Sequence, residues 1–402
     1  MTVYMAMDCL KVLFYFGILL IVYTYVGYGA VLWMMVKIKS IFSPKRGERK
    51  IEADYPEITL LIAAYNEEAV IAEKMKNNRA LKYADGKLQI VWVTDGSTDK
   101  TNELLAGYDD VRVLYSPERK GKTAALNRAI DFIDTPVVVF TDANTMLNED
   151  AIKKIAECFM RNPKVGCVAG EKRIEVKTKD NAASGGEGMY WRYESALKKM
   201  DSELCTAVGA AGELFAIRRN LFVKMENDTL LDDFIMSMRI AQQGYKIEYC
   251  DEAYAIERGS ADMAEEEKRK VRIAAGGLQS IWRLRALFNI FKYGVMSFQY
   301  VSHRVLRWSI TPVMLFLLIP INIILLALEP ENIMYWIVMV GQILFYIFGI
   351  WGYMLSKKSI KNKYLYIPYY FLFMNVNVIK GFFYLKRRRG NNGAWEKAKR
   401  AA

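Results

Sequence analysis

The stretch Ile58-Thr59-Leu60-Leu61-Ile62-Ala63-Ala64-Tyr65-Asn66-Glu67-Glu68 decides the fold. Its first seven residues are apolar or β-branched, and a polar turn then ends the run. A run this short with no polar face reads as a strand buried on both sides of a sheet. Helical spacing follows, to about Ala80. The unit then recurs. Leu88–Val93 is a second strand, ending at Asp95-Gly96-Ser97. Val111–Tyr115 is a third, and Val137–Phe140 is a fourth, ending at Asp142. Strands alternating with helices predict an α/β domain with a mostly parallel sheet, which gathers ligands at the carboxyl ends of its strands. Tyr65, Asp95 and Asp142 fall at those ends.

The next part of the chain is less regular. Val165–Ala169 reads as a strand, and the segment Gly185–Glu194 leads into a helix. Gly209–Ile217 reads as a loop and strand, Asp232–Gln243 as a helix and Lys246–Ala255 as a strand region.

Hydrophobic residues make up 53% of the 402 and concentrate at both ends of the chain. Val12–Val36 contains no charge. At about 1.5 Å per residue it is long enough to cross a bilayer core of roughly 30 Å. No basic region precedes it and no small-residue cleavage site follows, so it reads as an uncleaved anchor rather than a signal peptide. Lys37, Lys39, Lys45, Arg46, Arg49 and Lys50 come next, and the positive-inside rule places that flank in the cytosol. Trp308–Leu328 and Ile333–Leu355 are two further charge-free spans, the first with Pro312 and Pro320 as candidate kinks. Glu329-Pro330-Glu331 between them suits an outer loop, and Lys357, Lys358, Lys361 and Lys363 return to the inside. Gly277–Tyr293 mixes bulky apolar residues with arginines, which suits either an amphipathic helix on the membrane surface or an ordinary surface helix. Tyr364–Leu385 is interrupted by Asn375, Asn377 and Lys380 and followed by Lys386-Arg387-Arg388-Arg389. It reads as a fourth crossing, with a re-entrant or interfacial segment as the alternative.

The expected organisation is therefore an N-terminal anchor with its basic flank (residues 1–50), a cytosolic α/β domain (51–275), an interface region (276–304) and C-terminal membrane helices with a basic tail (305–402). This is a multi-pass protein of the cell membrane. The net charge is +12, but the basic residues cluster beside hydrophobic segments, which suits membrane lipids with anionic headgroups rather than nucleic acid. Five scattered cysteines have no metal-type spacing and read as free thiols. His303 is the sole histidine, which excludes a multi-histidine metal site.

Five motifs occur in order: Ala64-Tyr65-Asn66-Glu67-Glu68, Thr94-Asp95-Gly96-Ser97-Thr98-Asp99, Lys120-Gly121-Lys122-Thr123-Ala124-Ala125-Leu126-Asn127, Thr141-Asp142-Ala143-Asn144 and Leu231-Asp232-Asp233. This series resembles the family-two glycosyltransferases over roughly residues 58–310. The flanking spans resemble the membrane-bound branch, the cellulose, hyaluronan, chitin-oligosaccharide and poly-N-acetylglucosamine synthases. The resemblance implies a GT-A fold and transfer from a nucleotide-sugar donor, usually a UDP-sugar such as UDP-glucose or UDP-N-acetylglucosamine, to a polysaccharide or lipid-linked acceptor.

It also implies roles. Tyr65, Glu67, Asp95, Lys122, Asn127, Asp142 and Arg269 would bind the donor. Asp142 resembles the first residue of an Asp-x-Asp motif that holds Mg2+ or Mn2+ against a diphosphate, with Asn144 at the second position. An amide carbonyl ligates a hard cation but brings no charge. Asp233 matches the general base of an inverting displacement, and Asp232 its neighbour. The Gln-x-x-Arg-Trp motif maps onto Arg269-Lys270-Val271-Arg272-Ile273, which keeps Arg272 for the leaving diphosphate but replaces the sugar-stacking Trp by Ile273. Taken without the series, the same residues have plainer readings: Asp-Gly-Ser as a turn, Asp232-Asp233 as a helix start, Lys268–Arg272 as a solvated or lipid-facing patch.

Two other classes compete. Gly121-Lys122-Thr123 before a helix suggests a P-loop-like ATPase, although Ser116 stands at the first glycine position and Glu118 and Arg119 crowd the loop. A membrane-anchored carbohydrate- or nucleotide-binding protein with a catalytically dead domain is the third reading. The charged set Asp95, Asp142, Asp233 and Arg272 argues against it.

Overall fold

The computed structural model describes residues 2–42, 54–175, 183–259, 262–358, 360 and 362–388. The Ile58–Ala64 run is strand β1, and all of it is buried. Around it lie β2 (Leu88–Thr94), β3 (Arg112–Leu114), β4 (Val137–Asp142), β5 (Thr145–Leu147), β6 (Val165–Ile174), β7 (Phe215–Arg218) and β8 (Lys246–Glu257). They form one sheet in the order β3-β2-β1-β4-β7-β6-β8-β5. The β3-β2-β1-β4 half is parallel, as the apolar runs require, while β7 runs antiparallel to both β4 and β6. The register pairs Ala63 with Asp142, so the carboxyl ends of β1 and β4 lie side by side.

The helices are α1 (Thr2–Val22), α2 (Tyr28–Phe42), α3 (Ile71–Arg79), α4 (Thr101–Ala106), α5 (Lys122–Ile130), α6 (Ala151–Arg161), α7 (Ala183–Leu204), α8 (Asp232–Gln242), α9 (Met263–Arg283), α10 (Ile290–Tyr293), α11 (Val295–Tyr300), α12 (Leu306–Trp308), α13 (Ile310–Leu328), α14 (Ile333–Lys357) and α15 (Lys363–Arg387). One apolar core lies on each face of the sheet. Ala125, Leu126, Phe234 and Met238 of α5 and α8 fill one; Ile71, Met75, Ile152 and Ile155 of α3 and α6 fill the other. A sheet covered on both faces is what continuous apolar strands call for.

Among the described residues, three helical stretches are long and apolar enough to cross a membrane: Met5–Phe42, Ile310–Leu328 and Ile333–Lys357. The first passes through a π-helical turn, Tyr23–Gly27, between α1 and α2. Lys45, Arg46, Arg49, Lys50, Lys361 and Arg389 lie outside the described residues.

The second half of the chain departs from expectation in two places. The segment expected as one amphipathic helix over Gly277–Tyr293 is divided. Gly277 and Ser280 are buried in the last turns of α9, and a 3-10 turn (Arg285–Phe288) then leads to α10. The boundary placed between residues 275 and 276 therefore falls inside a continuous helix. The Tyr364–Leu385 segment is the unbroken helix α15, and the polar residues that interrupt its sequence face protein. Asn375 and Asn377 are buried, and Lys380 pairs with Glu267 of α9. Helices α9 and α15 approach so closely at Gly381 that a Cβ there would stand 2.7 Å from the Ala274 side chain.

Candidate active site

Strand β4 carries Asp142 to the open end of the sheet, and a tight turn carries Asn144 past it into β5. The Thr145 hydroxyl donates to the Asp142 carbonyl at 2.9 Å, and Lys74 donates to the Thr145 carbonyl at 2.6 Å from below. Lys74 is fully buried, and that burial pushes its ammonium down to about 7. It pins the turn that aims Asp142.

The N-terminus of α5 faces this turn. Gly121 precedes it at φ +94°, a conformation natural to glycine. Its N–H donates to Asp95 at 2.6 Å, as does the Lys120 N–H at 3.0 Å. Asp95 thus holds the loop after β3 against the loop after β2. The same contacts exclude the P-loop reading, because backbone N–H groups that should face phosphate are turned onto a carboxylate. Lys122 then reaches Asp142 at 2.7 Å and Asp232 at 3.6 Å. Burial opposes its charge, but the two carboxylates outweigh that and hold the ammonium above its usual value.

Asp232 and Asp233 occupy the first turn of α8, where the helix dipole favours negative charge. The Phe234 N–H donates to Asp233 Oδ1 at 2.8 Å. Asp233 Oδ2 faces Gly212, whose missing Cβ would stand 3.2 Å away. Burial, reinforced by the Asp232 charge, pushes the Asp233 carboxyl up to about 7. A carboxylate tuned to that range takes up and releases a proton near neutrality. On α9, burial and the nearby Arg269 charge lower the Arg272 guanidinium, while Asp232 and Asp142 act to raise it. Arg272 thus belongs to the electrostatic neighbourhood of both carboxylates.

At the outer edge the Arg119 guanidinium lies 3.9 Å from the Tyr65 ring centre. Asn66 adopts φ +54°, and its side-chain oxygen accepts from the Thr98 N–H at 2.8 Å. Glu67 is buried, and its own N–H donates to Thr101 Oγ1 at 2.8 Å.

Two residues expected to contact the donor are engaged with protein partners in this structure. The Asn127 side chain donates to the Met225 carbonyl at 2.7 Å and accepts from the Met225 N–H at 3.0 Å, so its amide clamps a loop. Arg269 pairs with Glu213 at 3.1 Å and Glu257 at 3.3 Å, and Lys172 pairs with the same two carboxylates. Burial opposes the Glu213 charge, but Lys172 and Arg269 hold its carboxyl well below the usual range. This four-residue cluster ties α9 to the segment before β7. Glu213 and Lys74 carry no sequence signal of their own, since only the fold reveals their partners.

Asp142 and Asn144 offer two oxygen donors, one charged, at an open strand end. A hard divalent cation takes one or two carboxylates and completes its shell with water and substrate phosphates, so this donor set fits Mg2+ or Mn2+. Among the described residues, no cluster of three or more His, Cys, Asp or Glu offers a self-sufficient metal site.

Comparison with known proteins agrees with this geometry. The family described as Glycosyl transferase family 2 matches residues 59–225. Poly-beta-1,6-N-acetyl-D-glucosamine synthase of Staphylococcus aureus is 30% identical over 244 residues, 58% of this chain and 57% of that protein. Beta-monoglucosyldiacylglycerol synthase of a Nostoc species is 29% identical over 249 residues, 59% of this chain and 52% of that protein. The match thus spans only a little over half the length of these curated relatives. The mannosyltransferase PcManGT of Pyrobaculum calidifontis, solved with GDP-Man and Mn2+, superposes with a TM-score of 0.65 at 20% identity, over 93% of this chain and 99% of that one. Residues 59–225 thus match glycosyl transferase family 2, and the sheet that carries the strand-end carboxylates has a GT-A-like fold.

Proposed function

We propose that this protein is a membrane-bound inverting glycosyltransferase that moves a hexosyl group from a UDP-sugar, such as UDP-glucose or UDP-N-acetylglucosamine, to a polysaccharide or lipid-linked acceptor. The observation that carries this reading is the Asp233 carboxyl. It is raised to about 7 and turned toward Gly212, beside the Lys122–Asp142 pair. Asp233 takes the proton of the acceptor hydroxyl as that oxygen attacks the anomeric carbon from the side opposite the leaving group, which inverts configuration. Lys122 and Arg272 face the diphosphate and stabilise its growing charge. Asp142 and Asn144 would hold Mg2+ or Mn2+, which would supply charge neutralisation at the diphosphate. Tyr65, Glu67 and Asp95 line the nucleoside end. Asp232 sits beside the base and keeps its proton affinity high.

The charge-free helices and the run beginning at Lys37 support a multi-pass chain with the catalytic domain on the cytosolic side. Labelling of a cysteine introduced at Asn227 by an impermeant reagent in intact cells would contradict that orientation. The names of the relatives, one acting with N-acetylglucosamine and one with glucose, support a hexosyl donor. The direct test is detergent-purified full chain incubated with a panel of UDP-sugars, reading UDP release and labelled product. Stoichiometric donor binding without UDP release for any sugar would make the chain a binding protein instead.

A further inference from the structure

A cavity of about 300 Å³ is lined by α9, α12 and α15 together with Tyr25 and Tyr193. This is the lower end of the range for ligand pockets, about 300–1,000 Å³. One wall is alkyl and aromatic, with Ile273, Phe371 and Met374 among its residues. Three cations, Lys270, Arg304 and Arg307, also line the cavity, and no Asp or Glu is among the described lining residues. The carboxylates that pair with those cations are not among the lining residues. Glu194 takes Arg304 at 2.7 Å and Arg307 at 3.1 Å, and Glu266 takes Lys270 at 3.2 Å.

The cavity also reaches the chemistry. Trp308 lines it and meets Phe234 edge-on, with ring centres 5.0 Å apart; Phe234 directly follows Asp233. Ile273 directly follows Arg272. A largely apolar cavity with a cationic patch, linked through Trp308 to the neighbour of the base, fits an amphiphile with a negative head. Most of the lining is apolar, which suits an acyl chain better than the hydroxyl-rich edges of a glycan.

We infer that this cavity seats the acceptor, and that the acceptor is a lipid phosphate whose head ends in a free hydroxyl. The inference rests on the glycosyltransferase reading and names its acceptor class. The chain lies along Phe371 and Met374, and the phosphate sits among Lys270, Arg304 and Arg307. The terminal hydroxyl reaches past Trp308 to Asp233. The bond from that oxygen to the sugar's anomeric carbon forms, and the bond from that carbon to the diphosphate breaks. The diphosphate leaves with the electron pair and Asp233 keeps the proton.

The test uses the full chain in mixed micelles with labelled UDP-sugar. Phosphatidylglycerol supplies phosphate and hydroxyl together. Diacylglycerol supplies the hydroxyl alone, phosphatidylcholine a phosphate without the hydroxyl, and glycerol phosphate the head without the chain. An N-acetylglucosamine oligomer stands for a glycan. The expected result is an organic-extractable labelled product with phosphatidylglycerol, at least about ten-fold above every other arm. Met374→Trp fills the cavity and should lower that transfer by about ten-fold or more, with donor affinity measured on the same sample to show that the variant is folded. Independently, a photoactivatable phosphatidylglycerol should label the Phe371–Met374 peptide of the unmodified chain, and phosphatidylglycerol should compete where glycerol phosphate does not. Transfer to the oligomer alone, or label confined to the outer faces of α13 and α14, overturns the inference and leaves the glycosyltransferase reading standing. Absence of UDP release in every arm removes that reading instead, and the cross-link then decides the cavity by itself.

Discussion

Lys122 Nζ sits 2.7 Å from Asp142 Oδ1, so the carboxylate that ends β4 already holds a positive charge. Asp142 and Asn144 would hold a metal ion in competition with this ammonium, and Asn144 adds no charge to help. Transfer should therefore vanish on chelation and return with Mg2+ or Mn2+ at higher free metal than a two-carboxylate site needs. Asn144→Asp should lower the half-saturating metal concentration. Full turnover in metal-free buffer would take Asp142 out of this role.

Asp233→Asn keeps size and hydrogen bonding but cannot take a proton. Transfer should fall by about 10²- to 10⁴-fold, the usual contribution of a general base, with donor affinity little changed. Asp232→Asn should be milder, and Arg272→Ala should weaken diphosphate contacts as well as turnover. Inactive Asp232→Asn beside active Asp233→Asn would exchange the two roles.

The same carboxyl sets a pH dependence. Its folded value, about 7, lies above the ordinary 3.8, so the folded protein holds this proton where the unfolded chain has released it. Transfer should rise as pH increases through about 7, since the base works deprotonated. Stability from this group is complete below about pH 4 and is lost as pH rises through about 7. Asp233→Asn should therefore melt higher than the parent at pH 8 and show no such difference at pH 4. Thermal unfolding of the donor-free protein at both values checks the sign.

Arg269→Ala removes one of the two cations serving Glu213 and Glu257, both buried. Leaving buried carboxylates short of a partner typically costs about 3–5 kcal/mol. A large fall in melting temperature should accompany any loss of transfer, unlike Asp233→Asn. Loss of donor affinity with the melting temperature unchanged would return Arg269 to the donor site.

The parallel half of the sheet is legible in the sequence because strands buried on both faces must be continuously apolar, as Ile58–Ala64 and Val137–Phe140 are. Strand β5 is not. Thr145-Met146-Leu147 is too short to show a period, and it exists by pairing with β8, more than a hundred residues away. The strand-end carboxylates were legible because an Asp after a buried run has few other places to go. The partners of Asn127 and Arg269 were not legible: Met225 for one and Glu213 with Glu257 for the other lie far along the chain or in another element. Lys74 reads as an ordinary lysine of a polar helix, and only the Thr145 carbonyl waiting at its tip explains its burial.

The close seat of Gly381 on Ala274 and Ala275 joins the last helix to the one that carries Arg272. A fragment cut before α15, made to obtain a water-soluble domain, would keep every motif and still lose a wall of its own cleft. The place of the arginine thus depends on the last helix as much as on its own, and anything that tilts α15 also moves that support.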